Sequence, residues 1–188
     1  MRLTLVYSPI PVVACTICTI PPSASFRQSP VAKQTAATPE MDRLATALAG
    51  DWETVETMAC SRFFPNGGSR HGVVHAWLAS GGDVLIYEVH SDGSAGKLDG
   101  FHTIWWDEGK KLYYFFACFN GASPCSMRGT AHREGSTFVN DYVETVDGKN
   151  TRWRDTFAIN ATAHIPTVAI ETGHGCWKTV ITTKAARR

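Results

Sequence analysis

Leu48-Ala49-Gly50-Asp51-Trp52-Glu53-Thr54-Val55, residues 48–55, is where one periodicity stops and another starts. Upstream, Met41, Leu44, Ala45 and Leu48 recur at i, i+3, i+4 and i+7, the spacing of one apolar helix face. Thr38-Pro39-Glu40 supplies an N-cap, a proline in the first turn and an acidic side chain beside the positive helix end. Gly50 stops the pattern, so a helix is expected over about 39–49. About three turns are marginal alone in water, so this helix must lie on an apolar surface, and the end of a barrel offers one.

Downstream of Gly50 the pattern is strand after strand. Ten are expected, at about 51–59, 70–79, 83–91, 99–107, 111–119, 125–133, 137–146, 150–158, 165–172 and 176–184. Turn sequences separate them: Pro65-Asn66-Gly67-Gly68, Gly81-Gly82-Asp83, Ser91-Asp92-Gly93, Asp107-Glu108-Gly109, Asn120-Gly121, Glu134-Gly135, Asp147-Gly148 and Gly173-His174-Gly175. Even spacing without intervening helices predicts an all-β antiparallel meander. Ten short strands curl, and closing into an up-and-down barrel removes the exposed edges. A two-sheet sandwich is the alternative. In the hairpin around Asp147-Gly148 both faces carry bulky and polar residues, as expected where a barrel interior holds polar groups around a cavity.

Of 188 residues, 18 are Lys or Arg and 17 are Asp or Glu, a net charge of +1, and no half is strongly basic. Nucleic-acid binding is therefore not expected. The chain opens with Met1-Arg2 and an apolar run to Ile20, then Pro21-Pro22-Ser23-Ala24-Ser25. This reads as a signal peptide over residues 1–25 with cleavage near Ser25. Residues 26–38 read as a disordered tether and 39–188 as the barrel domain. The expected location is secreted or periplasmic, with no membrane span left after cleavage. A membrane anchor, or lipidation of Cys15 in Val12-Val13-Ala14-Cys15, is the lesser reading.

No Gly-x-Ser-x-Gly, His-Glu-x-x-His or phosphate loop occurs, which argues against common hydrolase and nucleotide classes. No cofactor or metal is expected, and the cysteine spacings fit no zinc motif. His90, His102 and His132 come from three strands and form the one candidate acid–base cluster. Arg128, among the small residues of Met127-Arg128-Gly129-Thr130-Ala131, is the candidate anchor for a ligand, with Tyr142 and His102 beside it. Tyr113 and Phe115 share one face of an aromatic strand and are candidate apolar wall residues. Large apolar side chains on both faces of that strand imply a covered outer face, and a homodimer would cover it.

The helix, Gly50-Asp51-Trp52 and the meander resemble the calycin group: lipocalins, fatty-acid-binding proteins and bacterial relatives. Asn140-Asp141-Tyr142 is similar to the lipocalin Thr-Asp-Tyr signature, with Asn for Thr. Gly50-Asp51-Trp52 with Asp99-Gly100 and Ile104-Trp105-Trp106-Asp107 resembles secreted bacterial lipocalin-like proteins, a domain family without an established activity. The resemblance implies that Trp52 plugs the barrel and that a late basic residue, Lys184 or Arg187, packs on it. It also implies non-catalytic binding of a small hydrophobic ligand inside the barrel. An enzyme with a His/carboxylate site there, or a protein-interaction scaffold, is the alternative.

The cysteines test the topology. Cys118 and Cys125 flank one turn, at the neck of a hairpin, where a disulfide fits. In a closed barrel whose first and last strands pair, Cys60 meets Cys176 and Trp52 lies near Lys184. A bond there would close a loop of over 100 residues, worth roughly 4–5 kcal/mol by chain entropy. Of the six cysteines, the four that remain after cleavage near Ser25 allow three connectivities, and spacing alone does not choose.

Overall fold

The structure, a computed structural model, describes residues 37–120, 125–146, 148–158, 163–164 and 166–188. The expected signal peptide and most of the tether lie outside these residues. Helix α1 spans Pro39–Leu48, and Thr38 caps it by accepting a hydrogen bond from the Met41 N–H at 3.3 Å. Met41, Leu44, Ala47 and Leu48 are its buried residues, so Ala47 takes the place expected for Ala45. Ala49 is already extended, and Gly50 has φ +129°, a conformation that L side chains rarely adopt.

The strands follow: β1 Gly50–Met58, β2 Gly68–Ala79, β3 Val84–Asp92, β4 Leu98–Asp107, β5 Leu112–Phe119, β6 Met127–Glu134, β7 Thr137–Val146 and β8 Lys149–Ala158. Then come a two-residue strand β9 at Ala163–His164, β10 at Thr167–Gly173 and β11 at Cys176–Arg187. Each of β1 to β7 pairs antiparallel with the next strand, β8 pairs with β10, and β10 with β11. The ladder from Trp52↔Arg187 to Met58↔Ile181 joins β11 back to β1. Ten antiparallel strands thus form a closed barrel, with β9 paired to the end of β11. Closure leaves the ladder without the unpaired edges that invite aggregation.

Alternation fixes the inside. Trp52, Thr54, Glu56 and Met58 of β1 share one face, and their paired neighbours Val74, Gly72 and Arg70 on β2 share it with them. Leu85, Tyr87, Val89 and Ser91 of β3 continue it, followed by His102 and Ile104 of β4 and Tyr113, Phe115 and Ala117 of β5. Gly129 of β6 is required where it stands. A Cβ there would meet the Asp141 carbonyl at 2.0 Å, so the β6–β7 approach is set by main chain.

One barrel end is closed. Trp52 is fully buried, and its indole N–H donates to the Leu48 carbonyl at 2.9 Å. The Arg187 guanidinium stacks 4.7 Å from the Trp52 ring, and the His164 ring packs at 4.2 Å on it. Arg187 also donates to the Ala49 carbonyl at 3.0 Å, and the Tyr113 hydroxyl donates to the Glu40 carbonyl at 3.1 Å, which ties α1 down.

Two expectations about register need correction. Lys184 pairs with Val55 and faces outward, while Arg187 reaches Trp52. The reason is that β11 runs to Arg187, three residues past the expected end, and so slides the pairing by three. The same slide separates the cysteines: Cys60 follows a strand whose last paired residue, Met58, meets Ile181, and both Cys60 and Cys176 are free, exposed thiols. Cys118 and Cys125 form the disulfide expected of them.

Two measurements check this register. Arg187→Ala lowers stability by about 1 kcal/mol through loss of the cation–π contact, whereas Lys184→Ala stays within about 0.5 kcal/mol, read from urea midpoints. Alkylation of the folded protein without reductant, mapped by mass spectrometry, labels Cys60 and Cys176 and leaves Cys118 and Cys125 unlabelled.

Candidate functional site

The barrel interior above Trp52 is not packed solid. A cavity of about 450 Å³ opens between the walls, within the range of small-molecule sites. Apolar side chains make most of its wall, among them Val74, Val89, Phe115, Met127, Trp153 and Ile181. Phe63 and Phe64, from the segment that links β1 to β2, line it at the mouth. The Phe63 ring sits 4.7 Å from Trp153 on β8, and Arg62 beside it donates to the Thr151 hydroxyl at 3.0 Å. That segment therefore reaches across the opening to a distant strand.

Three polar groups are built into this wall. The first is the pair Glu56–Arg70, on directly opposed residues of β1 and β2, with N···O at 2.8 Å. Both side chains are largely buried, 14% and 7% exposed, and the Ser91 hydroxyl donates to Glu56 at 3.3 Å. Removing one partner would leave the other charge buried and uncompensated. Burial, with the Glu56 charge adding to it, pushes the nearby Tyr87 hydroxyl far above its usual range, so it stays protonated.

The second is Asp155 on β8. The Tyr142 hydroxyl donates to one of its oxygens at 3.2 Å and the Asn140 amide to the other at 3.5 Å. Burial opposes the charged form and wins over these hydrogen bonds, so the carboxyl is pushed up to about 7. Among the described residues no cation lies within 4 Å of it. The third is His102 on β4, between Tyr87 at 4.5 Å and Phe115 at 5.3 Å, ring centre to ring centre. Burial drops its pKa to about 3, so the imidazole is neutral at physiological pH, and its Nε2 has no hydrogen-bond partner in the protein.

The expected residues divide cleanly. His102, Phe115 and Tyr142 line the cavity, and Tyr113 lies in the core below it. Arg128 does not. It pairs with Phe116 and Val143 on the outer face and stacks over the Phe116 ring at 5.5 Å, because Gly129 takes the inward position. His90 and His132 are also outside, His90 against Asp99 at 3.1 Å and His132 against Glu134 at 2.9 Å. The three-histidine cluster is thus not assembled, since His90 and His132 are one residue out of phase with the inner face. Among the described residues no group of three His, Cys, Asp or Glu is placed to hold a metal. Asp141, Arg152 and Arg154 form cross-strand contacts on the outside, with Arg154 gripping Asp141 at 2.7 and 3.1 Å.

Arg70 and Glu56 were not singled out by sequence. The signal was present: Arg70 is in phase with Gly72, Val74 and Ala76, and Glu56 with Trp52 and Thr54, so one alternation rule carried across both strands would have placed them inside.

No protein-family model matches this chain, and no curated protein matches it. Among solved structures it is similar to the crystal structure of Rv2717c from M. tuberculosis, with a TM-score of 0.55 and 12% identity over 81% of this chain and 99% of that one. At this identity the likeness is one of fold, a closed antiparallel barrel.

The two buried titratable groups act on stability with opposite sign. Asp155 has its folded pKa raised, so the native state holds a proton the unfolded chain has lost, and stability falls as pH rises through the window from about 4 to 7. His102 has its folded pKa lowered, so stability is lost as pH falls from about 6.5 toward 3. Asp155→Asn should therefore gain stability relative to the parent as pH is raised from 5 to 8. His102→Gln should gain relative to the parent as pH is lowered from 7 to 4. Urea midpoints across pH report both, each unit within a window being worth up to about 1.4 kcal/mol.

Proposed function

We propose that this protein is a non-catalytic carrier that binds a small, mainly apolar molecule inside the barrel. The observation that carries the reading is the cavity of about 450 Å³, apolar over most of its wall and closed at one end by Trp52. A barrel filled with side chains would have no such space. Binding would run on burial of apolar surface. A ligand covering about 250 Å² gains roughly 6 kcal/mol at 25 cal/mol per Å², before the cost of association. His102 and the Tyr142–Asp155 pair would orient it.

The calycin-like reading and the export reading belong with this proposal. A closed ten-stranded barrel with an N-terminal helix fits a lipocalin-like carrier. The Cys118–Cys125 disulfide is of the kind that persists in oxidising compartments, in keeping with a signal peptide over residues 1–25. Among the described residues no helix is long and apolar enough to cross a membrane.

Native mass spectrometry of protein isolated from its expression host should show a co-purified small molecule that leaves on unfolding. After its removal, N-phenyl-1-naphthylamine should bind with a rise in fluorescence, and Val89→Trp, which fills the cavity, should abolish that rise while keeping the parent circular dichroism. A parent protein that neither carries a molecule nor binds the dye would refute the carrier.

A further inference from the structure

We infer that the cavity selects an uncharged or amine-bearing apolar ligand with a hydrogen-bond-donating head, a hydroxyl or amino group, and excludes organic anions such as fatty acids. This rests on the carrier reading above and names its ligand class. The argument is one of charge and of unspent hydrogen-bonding capacity. Two cationic side chains line the cavity among the described residues, and each already has a carboxylate. Arg70 is ion-paired with Glu56 at 2.8 Å, though its Nε makes no aligned hydrogen bond, and Lys97 at the mouth is ion-paired with Asp99 at 2.5 Å. A ligand carboxylate would have to displace Glu56 from Arg70, which would leave Glu56 buried, unpaired and beside a second negative charge.

The unpaired ionisable groups are of the opposite kind. Asp155 and Glu144 line the same cavity, and neither has a cation within 4 Å among the described residues. A ligand anion would meet repulsion from Glu144 and from the ionised fraction of Asp155, in a wall where water screens less than in bulk. A donor head would meet open acceptors instead. Asp155 takes one bond per oxygen from Tyr142 and Asn140, and a carboxylate oxygen accepts more than one. His102 adds the second, independent sign. It is more than nine-tenths buried, it lines the cavity, and its Nε2 has no partner in the protein. Its Nε2 donates or accepts according to the tautomer, and Arg70 Nε in the same wall is a donor without an aligned partner, so a head that both donates and accepts, as a hydroxyl does, can pair with either. A buried polar atom left unpaired is costly, so a ligand group that pairs with it recovers that cost.

Three ligands with the same ten-carbon chain separate the possibilities: decan-1-ol, decylamine and decanoate, each displacing N-phenyl-1-naphthylamine from the parent protein at pH 7. The expected result is displacement by decan-1-ol and decylamine at concentrations at least tenfold below that of decanoate. Decanoate displacing as well as decan-1-ol overturns the inference and leaves the carrier standing. Failure of the dye and all three ligands to bind overturns both. Glu56→Gln frees Arg70 and should raise decanoate affinity at least tenfold with decan-1-ol unchanged; an unchanged decanoate affinity in a folded variant counts against the proposal. Should that variant not fold, Asp155→Asn serves instead. It should weaken decylamine at least fivefold and leave decanoate no weaker, and equal loss of both would overturn the assignment of Asp155.

Discussion

The closed end of the barrel hangs on the burial of one side chain. Trp52 stands where α1, the first strand, the last strand and β9 meet. Its indole N–H satisfies the Leu48 carbonyl at the end of the helix, and its faces are covered by Arg187 and His164. The rest follows from this. A helix of ten residues has no stability of its own, yet here it is held at its end by a buried hydrogen bond and along its length by an apolar floor. With the floor sealed, the volume above becomes a pocket with one opening rather than a channel, and the polar groups in its wall are shielded from bulk water on one side.

That shielding gives the interior its chemistry. In water, Asp155 would ionise as any exposed aspartate does, and His102 would titrate near neutrality. In the cavity the same two groups are both driven toward their uncharged forms, by the same desolvation acting on opposite charges. Glu56 and Arg70 stand 2.8 Å apart in the same wall, so each offsets the charge of the other. A buried ion pair of this kind is weak evidence for stability, since apolar residues of similar volume often serve as well. Its consequence is local: the strongest cation in the wall is already committed.

Much of this was legible beforehand, and the gaps have physical causes. The helix, the ten-stranded meander, barrel closure and the Cys118–Cys125 bond follow from periodicity, turn residues and the cost of open edges. The site was read less well, because it depends on phase. Alternation assigns residues to two faces without saying which is inside, and a one-residue error inverts every side chain. Arg128, His90 and His132 were placed on the wrong face, and Arg70 was passed over, by that one ambiguity. Anchoring the phase at Trp52 and carrying it strand by strand would have resolved them. The Cys60–Cys176 pairing failed for a different reason. β11 continues through Lys184-Ala185-Ala186-Arg187, a stretch with no β-branched or aromatic residue, and its length there is set by pairing with β1 rather than by propensity.

The ladder between β1 and β11 also has a consequence in time. The ladder that completes the barrel pairs Glu53 with Ala186, 133 positions apart (186 − 53), whereas every other ladder between long strands joins near neighbours in sequence. During synthesis β1 is made long before β11, its partner on the closing side. Until then its outer edge is open, and the growing sheet resembles an unfinished cylinder with one live seam. Such long-range closure is slow because a large loop must be ordered before the seam rewards it. The partly made chain thus has a window in which that seam is open to pairing with a strand other than β11.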